Sequence, residues 1–251
     1  MLKAILHGKA GRIEHNEDES VSWSSLFQAR EDLLTSTIFE RFAYLSEAVQ
    51  ACLLKHWFKT YQGIIPDVFG EFKSINYWPR YIHEHDEGEN QVEPDLIIHF
   101  DQCNILVEVK PPAGGDQYYE QWHKEIESFL QSESGKEKPL YFLAIGRISQ
   151  ADARDWAIPL LRDVDCLKAV AALEWASVAE HMITVTSSDD VDNNSIVSNQ
   201  DRFILQDILE GLSLYGLQVT PFKWSQFKAY SIQKLSLNHG LLQLERSQNE
   251  Q

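Results

Sequence analysis

A chain of 251 residues, 43% hydrophobic and 11% aromatic, can bury a real core as one large domain or a domain with a small appendage. Its formal net charge is -16, from 22 Lys and Arg against 38 Asp and Glu, which excludes the global positive field that steers many nucleic-acid binders. Cys52, Cys103 and Cys166 are far apart and form no CxxC pair, which argues against a disulfide framework and a structural zinc site.

MLKAILHGKAGRIEH at the N-terminus is too briefly apolar for a signal peptide, and no later run is long enough for a bilayer, so the cytoplasm is the expected compartment. Residues 1–20 read as a peripheral arm. Ser22, Ser24 and Ser25 offer a cap for a following helix. From Leu26 to Tyr61, Leu34, Ile38, Phe42, Leu45, Val49, Leu53 and Trp57 fall at helical spacing, with Gly63 and Pro66 marking the end. A strand is expected over Phe72–His83 and a polar acidic loop over His83–Glu93.

Two strands follow in EPDLIIHFDQCNILVEVK, Glu93 to Lys110. PPAGGD is a turn. Gln117 to Gln131 is helical, with Tyr118, Trp122, Ile126 and Phe129 on one stripe. PLYFLAIGRI is the most apolar strand, as expected of a central one. Ala151–Met182 reads as mostly helical and Ser187–Gln200 as polar and turn-rich. Leu205, Ile208, Leu209 and Leu212 mark a last amphipathic helix, and the tail after Leu244 is polar.

The hairpin carries the chemistry. With its turn centred on Asp101–Asn104, Leu96 faces Val109, Ile98 faces Val107 and Phe100 faces Ile105, all on an apolar core face. Alternation then puts Asp95, Glu108 and Lys110 together on the other face, with Asp95 opposite Lys110 and Glu108 diagonal to Asp95. Two carboxylates so placed can share a hard divalent cation such as Mg²⁺, and the ammonium can stabilise developing phosphoryl charge. The plainer alternative is a cross-strand ion pair on a solvated face.

Pro94-Asp95 followed by Glu108-Val109-Lys110 resembles the signature of the PD-(D/E)XK nuclease superfamily, and the element order from Glu31 to Ile148 is similar to its restriction-endonuclease-like core. The resemblance implies an α/β fold with an αβββαβ core, a mixed central sheet flanked by helices, and a C-terminal helical extension. Its expected division is a nuclease-like domain over 1–185 (core about 26–148), a linker over 186–200 and an extension over 201–251. It implies Asp95, Glu108 and Lys110 as catalytic residues, and Mg²⁺, replaceable by Mn²⁺, held by Asp95, Glu108, the Val109 carbonyl and Glu31. Glu31 lies in line with Leu34, Ile38 and Phe42, an odd place for a carboxylate without a partner. Gln117, Gln121 and Lys124 are the candidate substrate contacts.

The implied activity is metal-dependent phosphodiester hydrolysis, foremost a DNA endonuclease with RNA left open, in a restriction or anti-phage setting. The acidic charge points to a partner protein or a homodimer as the source of DNA affinity, with no membrane contact. The alternative is a silent nuclease fold serving as an interaction module, docking through the acidic surface and Gln200–Lys234. His83-Glu84-His85-Asp86 reads as solvated loop, His99 as a half-buried spacer, and Tyr118 and Trp122 as core. Gly114-Gly115 lacks the phosphate-loop pattern.

Overall fold

The apolar runs of this chain pair into a mixed sheet, and amphipathic helices cover both of its faces. The computed structural model describes residues 2–14, 20–28, 30–85, 88–136, 138–187 and 196–220. Met1–Val219 form one compact unit; the second, Thr220–Gln251, lies outside the described residues beyond Thr220.

In chain order, α1 (Leu2–Leu6), β1 (Arg12–Glu14) and β2 (Ser20–Ser22) precede α2 (Trp23–Gln28), α3 (Glu31–Phe42) and α4 (Glu47–Trp57). β3 (Tyr61–Gly63), β4 (Phe72–Tyr77), β5 (Tyr81–His85), β6 (Gly88–Val92), β7 (Leu96–Phe100) and β8 (Asn104–Val109) follow. Then come α5 (Tyr119–Gln131), α6 (Glu133–Lys136), β9 (Leu140–Ile145), α7 (Gln150–Asp163), β10 (Leu167–Leu173), α8 (Trp175–Ser187) and α9 (Asn199–Ser213).

Among the described residues the central sheet has six strands in the order β3-β10-β9-β8-β7-β4. β9 runs parallel to both β8 and β10, and the other pairs are antiparallel. The protein is therefore α/β, with a mixed sheet flanked by helices. β9 lies inside the sheet and is buried at every residue, as its apolar run requires.

Alternation along β7 and β8 feeds two cores. Leu96, Ile98, Phe100, Ile105, Val107 and Val109 join α3, α4, α8 and α9 on one side. Ile97 and Leu106 join Trp122, Ile126 and Phe129 of α5, with α7, on the other. Each such fully buried side chain contributes about 1.5–3 kcal/mol relative to an exposed one. The reading of α5 as an amphipathic helix with Trp122 in the core holds; Tyr118 is exposed.

Several local expectations change. The 26–61 helix is three pieces, broken at Arg30 and Ser46, which both adopt extended backbone. Ser22 Oγ accepts from the Ser25 N–H at 3.1 Å at the start of α2. The 72–83 strand breaks at Trp78, which has φ 46 and precedes Pro79. The expected 83–93 loop is the β5–β6 hairpin. The expected 151–182 helix is interrupted by β10, whose LKAVAAL pairs with β9 on one side and β3 on the other.

The N-terminal arm contains α1, whose Leu2 and Ile5 pack with Phe27 and Leu214. The polar 186–200 segment does not divide compact units: α8 runs to Ser187, and residues 188–195 lie outside the described residues. α9 places Leu205, Ile208 and Leu212 in the same core as α3 and α8. Its Asp201, only 2% exposed, accepts from Ser198 at its own start and from the Ser46 N–H (2.8 Å) and Oγ (3.0 Å) at the start of α4. The tail after Leu244 and the part of the Gln200–Lys234 docking segment beyond Thr220 lie outside the described residues. No helix among them is long and apolar enough to cross a membrane.

Candidate active site

The β7–β8 turn is tighter than its sequence suggests. Phe100 N–H donates to Cys103 O at 2.9 Å, leaving Asp101 and Gln102 as a two-residue loop, a common hairpin connection. Leu96 therefore pairs with Val107 and Ile98 with Ile105, a shift of two residues from the expected register. A shift by an even number preserves the faces. One step beyond Leu96–Val107, Asp95 stands opposite Glu108 rather than diagonal to it. That face is not solvated, because α5 covers it.

The structure brings Asp95, Glu108, Lys110, Glu31 and Gln121 together. Asp95 Oδ2 accepts from the Val109 N–H at 2.7 Å. Lys110 Nζ donates to Glu108 Oε1 at 2.6 Å and lies 3.8 Å from Glu31 Oε1 at the start of α3. Gln121 Nε2 bridges two carboxylates, donating to Glu108 Oε1 (2.6 Å) and Glu125 Oε1 (2.9 Å). The Lys110 backbone is clamped: its N–H donates to Ile145 O (2.8 Å), and its carbonyl accepts from Trp175 Nε1 (2.7 Å). Gly146, at φ 85, lets the chain pass this point, since a Cβ there would stand 2.3 Å from Lys110 O.

Burial dominates the electrostatics. It raises Asp95 well above the usual carboxylate range, with Glu108 adding repulsion and the Val109 N–H opposing it. Burial, then Glu125, push Glu108 up to about 8 against the pull of Lys110. Burial pushes Glu125 up to about 8 as well. Burial disfavours the Lys110 ammonium, but the charge of Glu108 and its hydrogen bond outweigh that and raise its pKa. Glu108 receives both an ammonium and an amide, whereas Glu125 receives the amide alone, and the two glutamates titrate as a coupled pair.

Glu125 is a site residue the sequence reading passed over. It is 2% exposed, and its Oε2 is buried with no hydrogen-bond partner. The signal was present: it is one turn beyond Gln121, between Trp122 and Phe129 of a buried stripe. Gln117 does not join the site. It accepts from Trp122 Nε1 at 2.7 Å and donates to the Gly146 carbonyl at 3.3 Å, bracing α5 against the end of β9. Lys124 is exposed on α5, and the Val109 side chain is core.

His83 is buried rather than solvated, with Nε2 2.9 Å from Glu127 Oε2. His99 is half-buried and pairs with Asn104 at 2.7 Å. The oxygen donors of Asp95, Glu108 and Glu125, with the orphaned Glu125 Oε2, suit a hard divalent cation in kind. They are crowded without closing on one another: among the described residues no three His, Cys, Asp or Glu side chains form a metal-ligand group.

No protein-family model and no solved structure matches the chain. A protein of Pasteurella multocida (strain Pm70), named only as uncharacterized, is 33% identical over 162 residues, or 61% of this chain. The chain spans 56% of that relative's length.

Proposed function

We propose that the protein is a metal-dependent nuclease of restriction-endonuclease-like fold, cutting phosphodiester bonds in DNA. The observation that carries this reading is the convergence of Asp95, Glu108 and Lys110 with Glu31 at one end of adjacent strands. The succession α3-β4-β7-β8-α5-β9 supports it, since it follows the αβββαβ order of the family that the Pro94-Asp95 and Glu108-Val109-Lys110 motifs resemble.

Asp95 and Glu108, with the Val109 carbonyl and Glu31, are the residues to hold Mg²⁺ or Mn²⁺. When bound, the cation would polarise the phosphoryl group and lower the pKa of a water. Lys110 has a fixed backbone and an ammonium held between Glu108 and Glu31, a position that suits it to orient the attacking water and stabilise charge on the phosphoryl oxygens. The water oxygen attacks phosphorus in line, the bond to the leaving oxygen breaks, and no covalent enzyme intermediate forms. Gln121 holds Glu108 in place. The acidic composition leaves duplex affinity to a partner protein or a second copy, and RNA remains an alternative substrate.

One observation favours a second reading, an inactive nuclease fold serving as an interaction module. Lys110 Nζ already neutralises Glu108, so the chain supplies its own cation. Cleavage of plasmid and single-stranded DNA with Mg²⁺ or Mn²⁺ separates the two. Wild type should nick DNA, and Lys110→Ala and Asp95→Ala should not. A silent wild type whose melting temperature ignores both metals would make the interaction module the better account.

A further inference from the structure

Beside Asp95 the sheet ends in a strained aromatic corner. Trp78 has φ 46, a left-handed conformation that is unfavourable for a non-glycine residue. Its N–H donates to the Asp95 carbonyl at 2.9 Å, so the strained residue is tied directly to the motif aspartate. Strain of this kind persists where the surrounding structure demands it, and it gathers at functional sites.

Trp78 lines a cavity of about 490 Å³ with Tyr77, Arg80, Glu93 and Asp32. The Trp78 and Tyr77 rings lie 5.6 Å apart, and Trp78 Nε1 is buried with no hydrogen-bond partner. Arg80 is engaged by Glu93 at 2.8 Å, so it is not a bare phosphate clamp. A second cavity of about 410 Å³ shares Asp32 and is lined by Arg30, Glu31 and the 111–115 turn. Glu31 is the carboxylate that meets Lys110. A strand occupying both cavities would pass Glu31, the site carboxylate that lines the second one.

The chemistry of the first cavity suits a flat, polar-edged aromatic ring. Every nucleobase offers a face to stack on indole, and carboxylates accept from exocyclic amines. Inside a duplex both faces of a base are covered by its stacked neighbours, and a duplex brings two phosphate backbones to walls on which Asp32, Glu93 and Glu31 outnumber Arg80 and Arg30. We infer that the Trp78 cavity binds one unpaired nucleobase next to the scissile phosphate, which makes single-stranded or locally unpaired nucleic acid the preferred substrate. This deepens the nuclease reading and rests on it for the role of the neighbouring phosphate.

Fluorescence anisotropy tests it, with a labelled 12-nucleotide DNA strand and its blunt duplex in EDTA, on wild type, Trp78→Phe, Trp78→Ala and Trp78→Gly. Wild type should bind the single strand at least tenfold tighter than the duplex. Trp78→Phe should keep most of that affinity, while Trp78→Ala and Trp78→Gly should lose about tenfold, the scale of one stacked base. Trp78→Gly relieves the backbone strain and so keeps loss of binding separate from loss of fold. Unchanged single-strand binding in folded Trp78→Gly, or a wild type that prefers duplex or binds neither, overturns the inference. Metal-dependent cleavage that survives such a result leaves the nuclease reading standing; Trp78-dependent binding by a protein that cuts nothing with either metal retains the pocket and removes the nuclease.

Discussion

Replacing Glu125 by Gln should stabilise the metal-free protein, although it alters a fully buried residue. The amide oxygen can keep accepting from Gln121, and the amide nitrogen puts a donor where Oε2 has no partner, towards the carboxylate of Glu108. Glu125 ionises near the ordinary value of 4.5 when unfolded, and folding pushes it up to about 8. Between those values the folded state binds more protons, so stability falls as pH rises through the window. At pH 7 the gap is roughly two and a half units, an upper bound of about 3 kcal/mol at 1.4 kcal/mol per unit.

Because Glu108 shares that proton demand, about 1–3 kcal/mol is the expected gain, a rise of roughly 3–10 °C for a unit of this size. Thermal melts in EDTA at pH 8, 7 and 4.5 check it. The gain should be largest at pH 8 and vanish at pH 4.5, and Mg²⁺ should raise the melting temperature of wild type more than that of the variant. A Glu125→Gln protein less stable than wild type at pH 8, or a gain independent of pH, refutes the reasoning.

Gly146→Ala should cost about 2–4 kcal/mol, combining a positive φ with overpacking against Lys110 O and the Trp175 ring, and urea unfolding reads it directly. The surviving folded fraction should have lost metal-dependent cleavage, because the obstructed atom is the Lys110 carbonyl. His181 stacks on His56 at 3.8 Å between α8 and α4, and burial, then His56 and Lys59, push it down to about 4. The unfolded chain takes up that proton near pH 6.5, so its contribution to stability is lost as pH falls from about 6.5 towards 4. His181→Phe keeps a stacking ring without the titration, and its melting temperature should fall less than that of wild type between pH 7 and pH 5; parallel curves would remove this account.

What the sequence made legible follows from period and parity. Asp95, Glu108 and Lys110 share a face whether the hairpin turn holds two residues or four, so their convergence survived an error in register. Glu31 announced itself as a carboxylate in line with Leu34 and Ile38. β10 was hidden because alanines in LKAVAAL favour helix, and only β9 and β3 on either side draw it into the sheet. Glu125 was hidden because its importance is an environment: a carboxyl on α5 becomes a site residue once Glu108 and Gln121 are packed against it. Trp78 was hidden because a residue before proline is ordinarily extended, and its left-handed backbone is set by tertiary contacts instead.

α9 is held by Leu205, Ile208 and Leu212 in a core built largely from residues far upstream, and by one carboxylate, Asp201, that caps both its own start and that of α4. Covalent continuity between α8 and α9 is therefore not what keeps α9 in place. A cut in that connection would leave two fragments with complementary apolar faces and a shared buried anchor. The unit is suited to reassembly from separately made pieces, with recovery of the Lys110 site as the sign that they have found each other.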